Sequence, residues 1–205
     1  VAGNGQRELA EAVAGLQSPT EGQVVVCGRQ TTGRGPRATR AAGLAYVPED
    51  RLGTGLAPSL SIADNLLLTR RLPFFVDRRA ATAEARSVID DFGVKATGPG
   101  AAVRGLSGGN VQKVLLGREL ATGCDVLVVA SPTRGLDVGA IEFVRDLLDE
   151  RRRSGCGVLL LSEDLDEVRA LSDRILVLYE GRIVLQCAPD ADVTTLGLAM
   201  AGASA

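Results

Sequence analysis

The chain has 205 residues, 45% of them apolar, 23% charged and 3% aromatic, with a formal charge of −2 and a pI near 5.3. This is a globular balance, long enough for one α/β domain with room for an inserted subdomain, and it excludes a broad basic footprint for nucleic acid. No apolar run approaches the ~18 residues of a membrane span, and four scattered cysteines with no histidine exclude a CxxC or Cys/His metal site and fit a reducing compartment.

The chain opens on a glycine-rich loop, Val1-Ala2-Gly3-Asn4-Gly5, with no strand before it. A domain rarely starts inside a tight loop, so a longer polypeptide is expected. Gln6 to Leu16 has helical spacing, with Leu9, Val13 and Leu16 on one face. A turn at Glu21-Gly22-Gln23 leads to a short strand, Val24 to Val26. A Thr/Gly loop and a helix over Arg37 to Ala42 follow, then strand Leu44 to Val47, stopped by Pro48.

Residues ~50 to ~120 are poor in strand signals. Asp50 to Pro58 reads as loop, Ser61 to Leu68 as a helix capped by Ser61, and Arg79 to Phe92 as an amphipathic helix. Gly98 to Gly105 is loop and Asn110 to Leu120 helix. The last third alternates: strand Val126 to Val129, helix Val138 to Arg153, strand Val158 to Leu161, helix Asp164 to Leu171. Strands Arg174 to Tyr179 and Arg182 to Leu185 then flank a Glu180-Gly181 turn. The Arg151-Arg152-Arg153 run reads as a solvated helix end. Such βαβ alternation implies a mostly parallel sheet covered by helices.

The strongest chemical signal is Leu106-Ser107-Gly108-Gly109-Asn110-Val111-Gln112-Lys113. A hydroxyl and two glycines opening a helix favour an anion, because the first-turn N–H groups are unpaired and the dipole end is positive. Alone, it is equally an ordinary serine cap. An apolar strand then leads into Ser131-Pro132-Thr133-Arg134-Gly135-Leu136-Asp137, and the next ends in Ser162-Glu163-Asp164.

In that order and spacing, these segments resemble the ABC transporter ATPase family: signature motif, Walker B strand, D-loop and switch loop. Tyr46 to Arg51 resembles the family's Q-loop, and Asp173 to Arg182 its terminal hairpin. The combination of LSGGN with PTRGLDVGA is especially similar to the second nucleotide-binding domain of tandem importers of simple sugars and nucleosides. The resemblance covers essentially the whole chain. It implies a P-loop NTPase fold of ABC ATPase type, with an ATPase core at 1–49 and 121–205 and a helical subdomain at 50–120 carrying the signature. It also implies ATP and Mg²⁺ as cofactors, transmembrane permease subunits as partners, and a peripheral place on the cytoplasmic face of the membrane. A further ATPase domain, in the same polypeptide or another subunit, is the expected mate.

The departures are as informative. A P-loop places a lysine and a hydroxyl after its last glycine, yet Asn4-Gly5 is followed by Gln6 and Arg7. The Walker B strand of the family ends in two acids, here Ala130 and Ser131. Glu163 stands at the switch histidine and Glu49 at the Q-loop glutamine. Two added carboxylates are expected to repel a γ-phosphate, and the groups that neutralise developing charge are gone. In the family each ATP lies between one domain's P-loop and the other's signature. The resemblance therefore implies that Leu106, Ser107, Gly108, Gly109, Asn110 and Gln112, with Asp137 of the D-loop, complete the partner's ATP site in trans. The degenerate positions Ala130, Ser131, Glu163 and Glu49 then contribute little, and no metal is assigned to side chains of this chain; Mg²⁺ belongs mainly to the partner's site. The segment around Ala130-Ser131 is more similar to the nucleoside than to the sugar branch, but cargo selection lies in other subunits. A structural or regulatory domain that binds no nucleotide fits the same residues. A soluble ABC ATPase of translation or DNA repair would be expected to carry a basic stripe.

Overall fold

The computed structural model describes residues 3–70, 74–121 and 123–202; Val1 and Ala2 of the opening loop lie outside the described residues. In chain order the elements are α1 (Gln6–Val13), β1 (Val25–Val26), β2 (Arg29–Gln30), α2 (Pro36–Ala41), β3 (Leu44–Val47), α3 (Ile62–Leu67), α4 (Arg78–Asp91) and α5 (Gly108–Leu120). There follow β4 (Val126–Ala130), α6 (Val138–Arg153), β5 (Gly157–Leu161), α7 (Leu165–Leu171), β6 (Ile175–Tyr179), β7 (Arg182–Cys187) and α8 (Val193–Met200). A single π turn covers Arg51–Gly55 and a 3₁₀ turn Val103–Gly105. The chain forms two compact units: Val1–Tyr46 with Asp125–Ser131 and Val144–Ala205, and Val47–Cys124 with Pro132–Phe143.

The first unit is the α/β part. Its sheet runs β3-β4-β5, and β4 and β5 are parallel with Ala130 opposite Leu161. Ala10 and Ala14, Val26, Ala42, Leu44, Val128 and Leu161 make one buried cluster. A second joins the β6–β7 hairpin to α8 through Ile175, Val177 and Leu196. Beside the first cluster Thr39 of α2 is buried, and its hydroxyl donates to the Ala14 and Pro36 carbonyls at 2.8 and 2.9 Å.

β5 and β6 each stand at the edge of a sheet. Between them lies a cavity of about 650 Å³, touched by every residue from Gly157 to Leu161 and from Ile175 to Leu178. Side chains alternate faces along a strand, so contact with consecutive residues means that the cavity meets the backbone edges of both strands. Leu165 and Val168 of α7 cover it on one side, and Gln6 and Leu9 of α1 also line it.

Two elements went unread in the sequence. β2 is two residues long and pairs with β1, the short strand read at Val24 to Val26, across Cys27 and Gly28 at φ 47° and 74°; a strand so short has no periodicity to detect. Helix α8 starts where the Asp192 carboxylate accepts from the Thr195 N–H at 2.9 Å, a cap placed in an otherwise weakly patterned tail.

The second unit is helical. Among the described residues its only strand-like pairing outside β3 is an isolated bridge between Ser61 and Ala102. Ser61 caps α3 by accepting from the Asp64 N–H at 3.0 Å, and its hydroxyl donates to the Asp64 carboxylate at 2.6 Å. That bond, with the Arg78 guanidinium, holds the Asp64 carboxyl below the usual carboxylate range. α5 is buried on almost every side from Val111 to Leu120, including the Arg118–Glu119 ion pair. Because the buried polar side chains Gln112, Arg118 and Glu119 are enclosed together with Val111, Val114, Leu115, Leu116 and Leu120, α5 is the central helix of the unit.

Asn65, fully buried on α3, ties down the loop before it. Its amide accepts from the Ala57 N–H at 2.7 Å and donates to the Ala57 and Ser61 carbonyls at 3.0 Å each. Replacing it by leucine leaves buried backbone groups without partners, at about 1–3 kcal/mol. Asn65→Leu is expected to lower the unfolding free energy by that amount in a urea titration, and an unchanged value would show that water replaces the amide.

Candidate functional site

In the first unit, the glycine loop ends with Gly5 at φ 99°, the left-handed cap of α1, where a β-carbon would come within 3.2 Å of the Gly181 Cα. Only glycine fits both demands. Asn4 is buried against the hairpin turn: its carbonyl accepts from the Gly181 N–H at 2.9 Å and its side-chain oxygen from the Glu180 N–H at 3.1 Å. The Gln6 side chain folds back to accept from the Asn4 N–H at 3.0 Å.

Arg7 does not enter the loop. Its guanidinium is 77% exposed and pairs along the helix with Glu11 at 2.7 Å, which raises its pKa. The cation that sequence alone places near the loop is thus spent on a neighbour one turn away.

The ends of β4 and β5 come together. Ser131, at φ 44°, donates its N–H to the Leu161 carbonyl at 2.7 Å, so Ala130-Ser131 and Ser162-Glu163 leave adjacent parallel strands side by side. The carboxyl edge of a parallel sheet is where α/β proteins place ligands. Here it presents a methyl, two hydroxyls and the exposed Glu163. Among the described residues no group of three His, Cys, Asp or Glu side chains is placed to hold a metal ion. The donor set at this edge does not fit Mg²⁺.

The second unit gathers the other candidates. Ser107 is the residue before α5, yet its hydroxyl caps no backbone N–H and instead accepts from the Asn110 Nδ2 at 2.8 Å. Asn110 in turn accepts from the Lys95 N–H at 2.7 Å. The first-turn N–H groups from Gly108 to Asn110 therefore have neither a helical acceptor nor a side-chain cap. Gly109 packs against the start of α6, where a β-carbon would sit 3.1 Å from the Ala140 Cβ and 3.6 Å from an Asp137 oxygen. Asp137 caps that helix, its Oδ1 accepting from the Ala140 N–H at 2.9 Å.

Behind this terminus is a polar network. Gln112 is 1% exposed; its Oε1 accepts from the Arg51 Nε at 2.7 Å, while its Nε2 is buried without a partner. Arg51 also donates to the Arg134 carbonyl, and the Arg134 guanidinium pairs with Glu49. Glu49, read as one of two added carboxylates, thus has a solvent-exposed ion-pair partner in Arg134. An uncapped amino terminus with two glycines, a buried unpaired amide donor and a guanidinium nearby fits a phosphate group.

A family model described as ABC transporter matches residues 2–134. The chain belongs to the ABC transporter family. Over 98% of its length it is 44% identical to the glucose import ATP-binding protein TsgD13 of Haloferax volcanii, and over its full length 42% identical to the guanosine import ATP-binding protein NupO of Bacillus subtilis. The ribose import ATP-binding protein RbsA 1 of Rubrobacter xylanophilus is 38% identical over 99% of the chain. The chain spans 38%, 41% and 42% of these relatives, about two fifths of their length. Its fold is that of solved ABC cassettes. A dimeric ATP-binding cassette in a post-hydrolysis state, bound to ADP and phosphate, superposes with a TM-score of 0.78 at 20% identity, covering 94% of this chain and 84% of that one. A nucleotide-free cassette gives 0.77 at 19% identity, covering 92% and 78%.

In this ABC chain the sequence reading missed the tertiary roles of Arg51 and Arg134. Arg51 closes the Q-loop-like segment Tyr46 to Arg51, but its contacts with Gln112 and Arg134 span 61 and 83 residues. No local pattern carries such pairings. Asp137 gives a separable test of its capping role. Asp137→Ala is expected to lower stability by about 1 kcal/mol through loss of the α6 cap, and Asp137→Ser, which keeps a capping oxygen, by only a few tenths. Urea unfolding of the two variants checks this, and equal losses would mean that the carboxylate charge, not the cap, matters.

Proposed function

We propose that this ABC chain is one nucleotide-binding half of an importer for nucleosides or simple sugars, in which the α5 amino terminus completes an ATP site on a partner domain. Its own hydrolytic position is degenerate. The observation that carries the reading is the contrast between two strand- and helix-end sites. The α5 terminus keeps the Leu106 to Asn110 motif with uncapped N–H groups from Gly108 to Asn110, whereas the β4 end offers Ala130 and Ser131 where Mg²⁺ and an attacking water would need carboxylates.

In this proposal residues 1–49 and 121–205 form the ATPase core and 50–120 the helical subdomain. The partner is a first ABC domain of the same polypeptide or a second ATPase subunit, and permease subunits carry the cargo across the membrane, with this chain on the cytoplasmic face. Nucleic acid is no part of the reading. The import names of the relatives divide between sugars and a nucleoside, so they support the importer class and leave cargo to other subunits.

Chemically, ATP supplies the phosphate that the α5 N–H groups would bind, and Mg²⁺ would sit mainly at the partner's site. What this chain's residues do is supply preorganised donors in trans. Removing one such donor commonly costs on the order of 10²-fold in rate. In the assembled transporter, Gly108→Asp is expected to lower steady-state ATPase by at least that factor, because it sets a carboxylate against the bound phosphate. Substitutions of Gln6 or Ser131 are expected to change it less than about threefold. If they prove as damaging as Gly108→Asp, the division of labour is wrong.

Glu163 gives an independent check. It is exposed at the β5 end, where a general base would need to hold a proton near a water. Glu163→Ala is expected to leave single-site turnover at this half unchanged, and a large fall would show that the worn site still hydrolyses.

A further inference from the structure

We infer that Arg51 is a positioning residue for the α5 amino terminus, holding it in register with the Asp137 loop through two fixed donors. The inference rests on the trans ATP-site reading above. Within the described residues the buried Gln112 amide has one hydrogen bond, from the Arg51 Nε at 2.7 Å, and its Nε2 has none. Arg51 therefore orients the polar group on the second turn of α5. The same guanidinium donates through Nη2 to the Arg134 carbonyl, three residues before Asp137. Its remaining arm, Nη1, lies 3.8 Å from where a β-carbon of Gly108 would be.

One planar group thus spans three segments of the same unit. It is half-buried, and burial lowers its pKa, but a guanidinium stays protonated at any physiological pH. Two donors in a rigid fork make the span. A lysine has one ammonium on a flexible stem and cannot hold Gln112 and the Arg134 carbonyl in the same geometry. The Glu49–Arg134 ion pair closes the outside of the network and keeps the 134 backbone near Arg51. The π turn directly after supports the anchor from behind: Asp50 accepts from the Leu52 and Gly53 N–H groups at 3.2 and 2.8 Å, and Arg51 begins the turn itself.

This assigns Arg51 a role distinct from touching phosphate. Displacing donors by about 1 Å can cost up to 10²-fold in rate, and a part of that is expected when the fork is lost. The test is ATPase of the assembled transporter with Arg51→Ala, Arg51→Lys and Gln112→Met, alone and combined. The expected result is a fall in kcat of about tenfold for Arg51→Ala, with KM for ATP within about twofold, since the donors act in the transition state. Arg51→Lys is expected to restore little. The Arg51→Ala/Gln112→Met double variant should be no worse than its poorer single, because the pair acts as one unit. Full activity of Arg51→Lys would reduce Arg51 to a point charge and overturn the inference, as would additive losses or a wild-type kcat for Arg51→Ala. Gly108→Asp run in parallel separates the two readings. If it is harmless, the trans-site reading itself fails; if it is damaging while Arg51→Ala is not, only the positioning role falls.

Discussion

The burial of α5 is the constraint on which the helical unit depends. From Val111 to Leu120 nearly every side of the helix is covered, so it has no soft face along which to slide or rotate. Close-packed interiors transmit displacement rather than absorb it. The amino terminus of such a helix inherits that rigidity, and its unpaired N–H groups are held at a fixed place without being satisfied. Preorganised donors of this kind need no rearrangement when charge arrives. The glycine at 109 belongs to the same logic, since a β-carbon there would sit 3.1 Å from the Ala140 Cβ and press the start of α6 outward.

Satisfaction of polar groups explains why Ser107 is not a simple cap. A serine before a helix ordinarily closes one of the first-turn N–H groups. Here Asn110 takes the hydroxyl, and Asn110 is itself held by the Lys95 N–H. Two side chains that would otherwise compete for the helix end bond each other. The backbone donors are left open, which costs stability in an isolated helix and is tolerated where a ligand or solvent supplies the acceptor.

Much of this was legible from the residues. The Ser61 cap, the strand at Leu44 to Val47 and the helix from Val138 to Arg153 follow from capping chemistry, β-branched or apolar runs and helical periodicity, and the structure has each of them. Glycines 108 and 109 and the hydroxyl at 107 announced a helix start, and α5 begins at Gly108. What does not show is pairwise and long-range. The Arg7–Glu11 pair is an ordinary i,i+4 contact that helical spacing allows, but nothing local to Glu49 marks Arg134, 85 residues on, as its partner. Charge signs are readable in a sequence, but compensation between distant segments is decided by tertiary distance.

The same difference bears on the proposed degenerate position. That Ala130 and Ser131 at the β4 end carry no carboxylate is plain from the residues alone, whatever their neighbours are. Added groups cannot be read that way. A surface carboxylate facing an arginine loses most of its field to screening and pairing, so Glu49 is weak support for a repelled phosphate, while Glu163 lies exposed beside Ser131 at the adjoining strand ends. What marks the proposed degenerate position is therefore the absence of acids at Ala130 and Ser131 and the pairing of Arg7 with Glu11, not the acidic substitutions at Glu49 and Glu163.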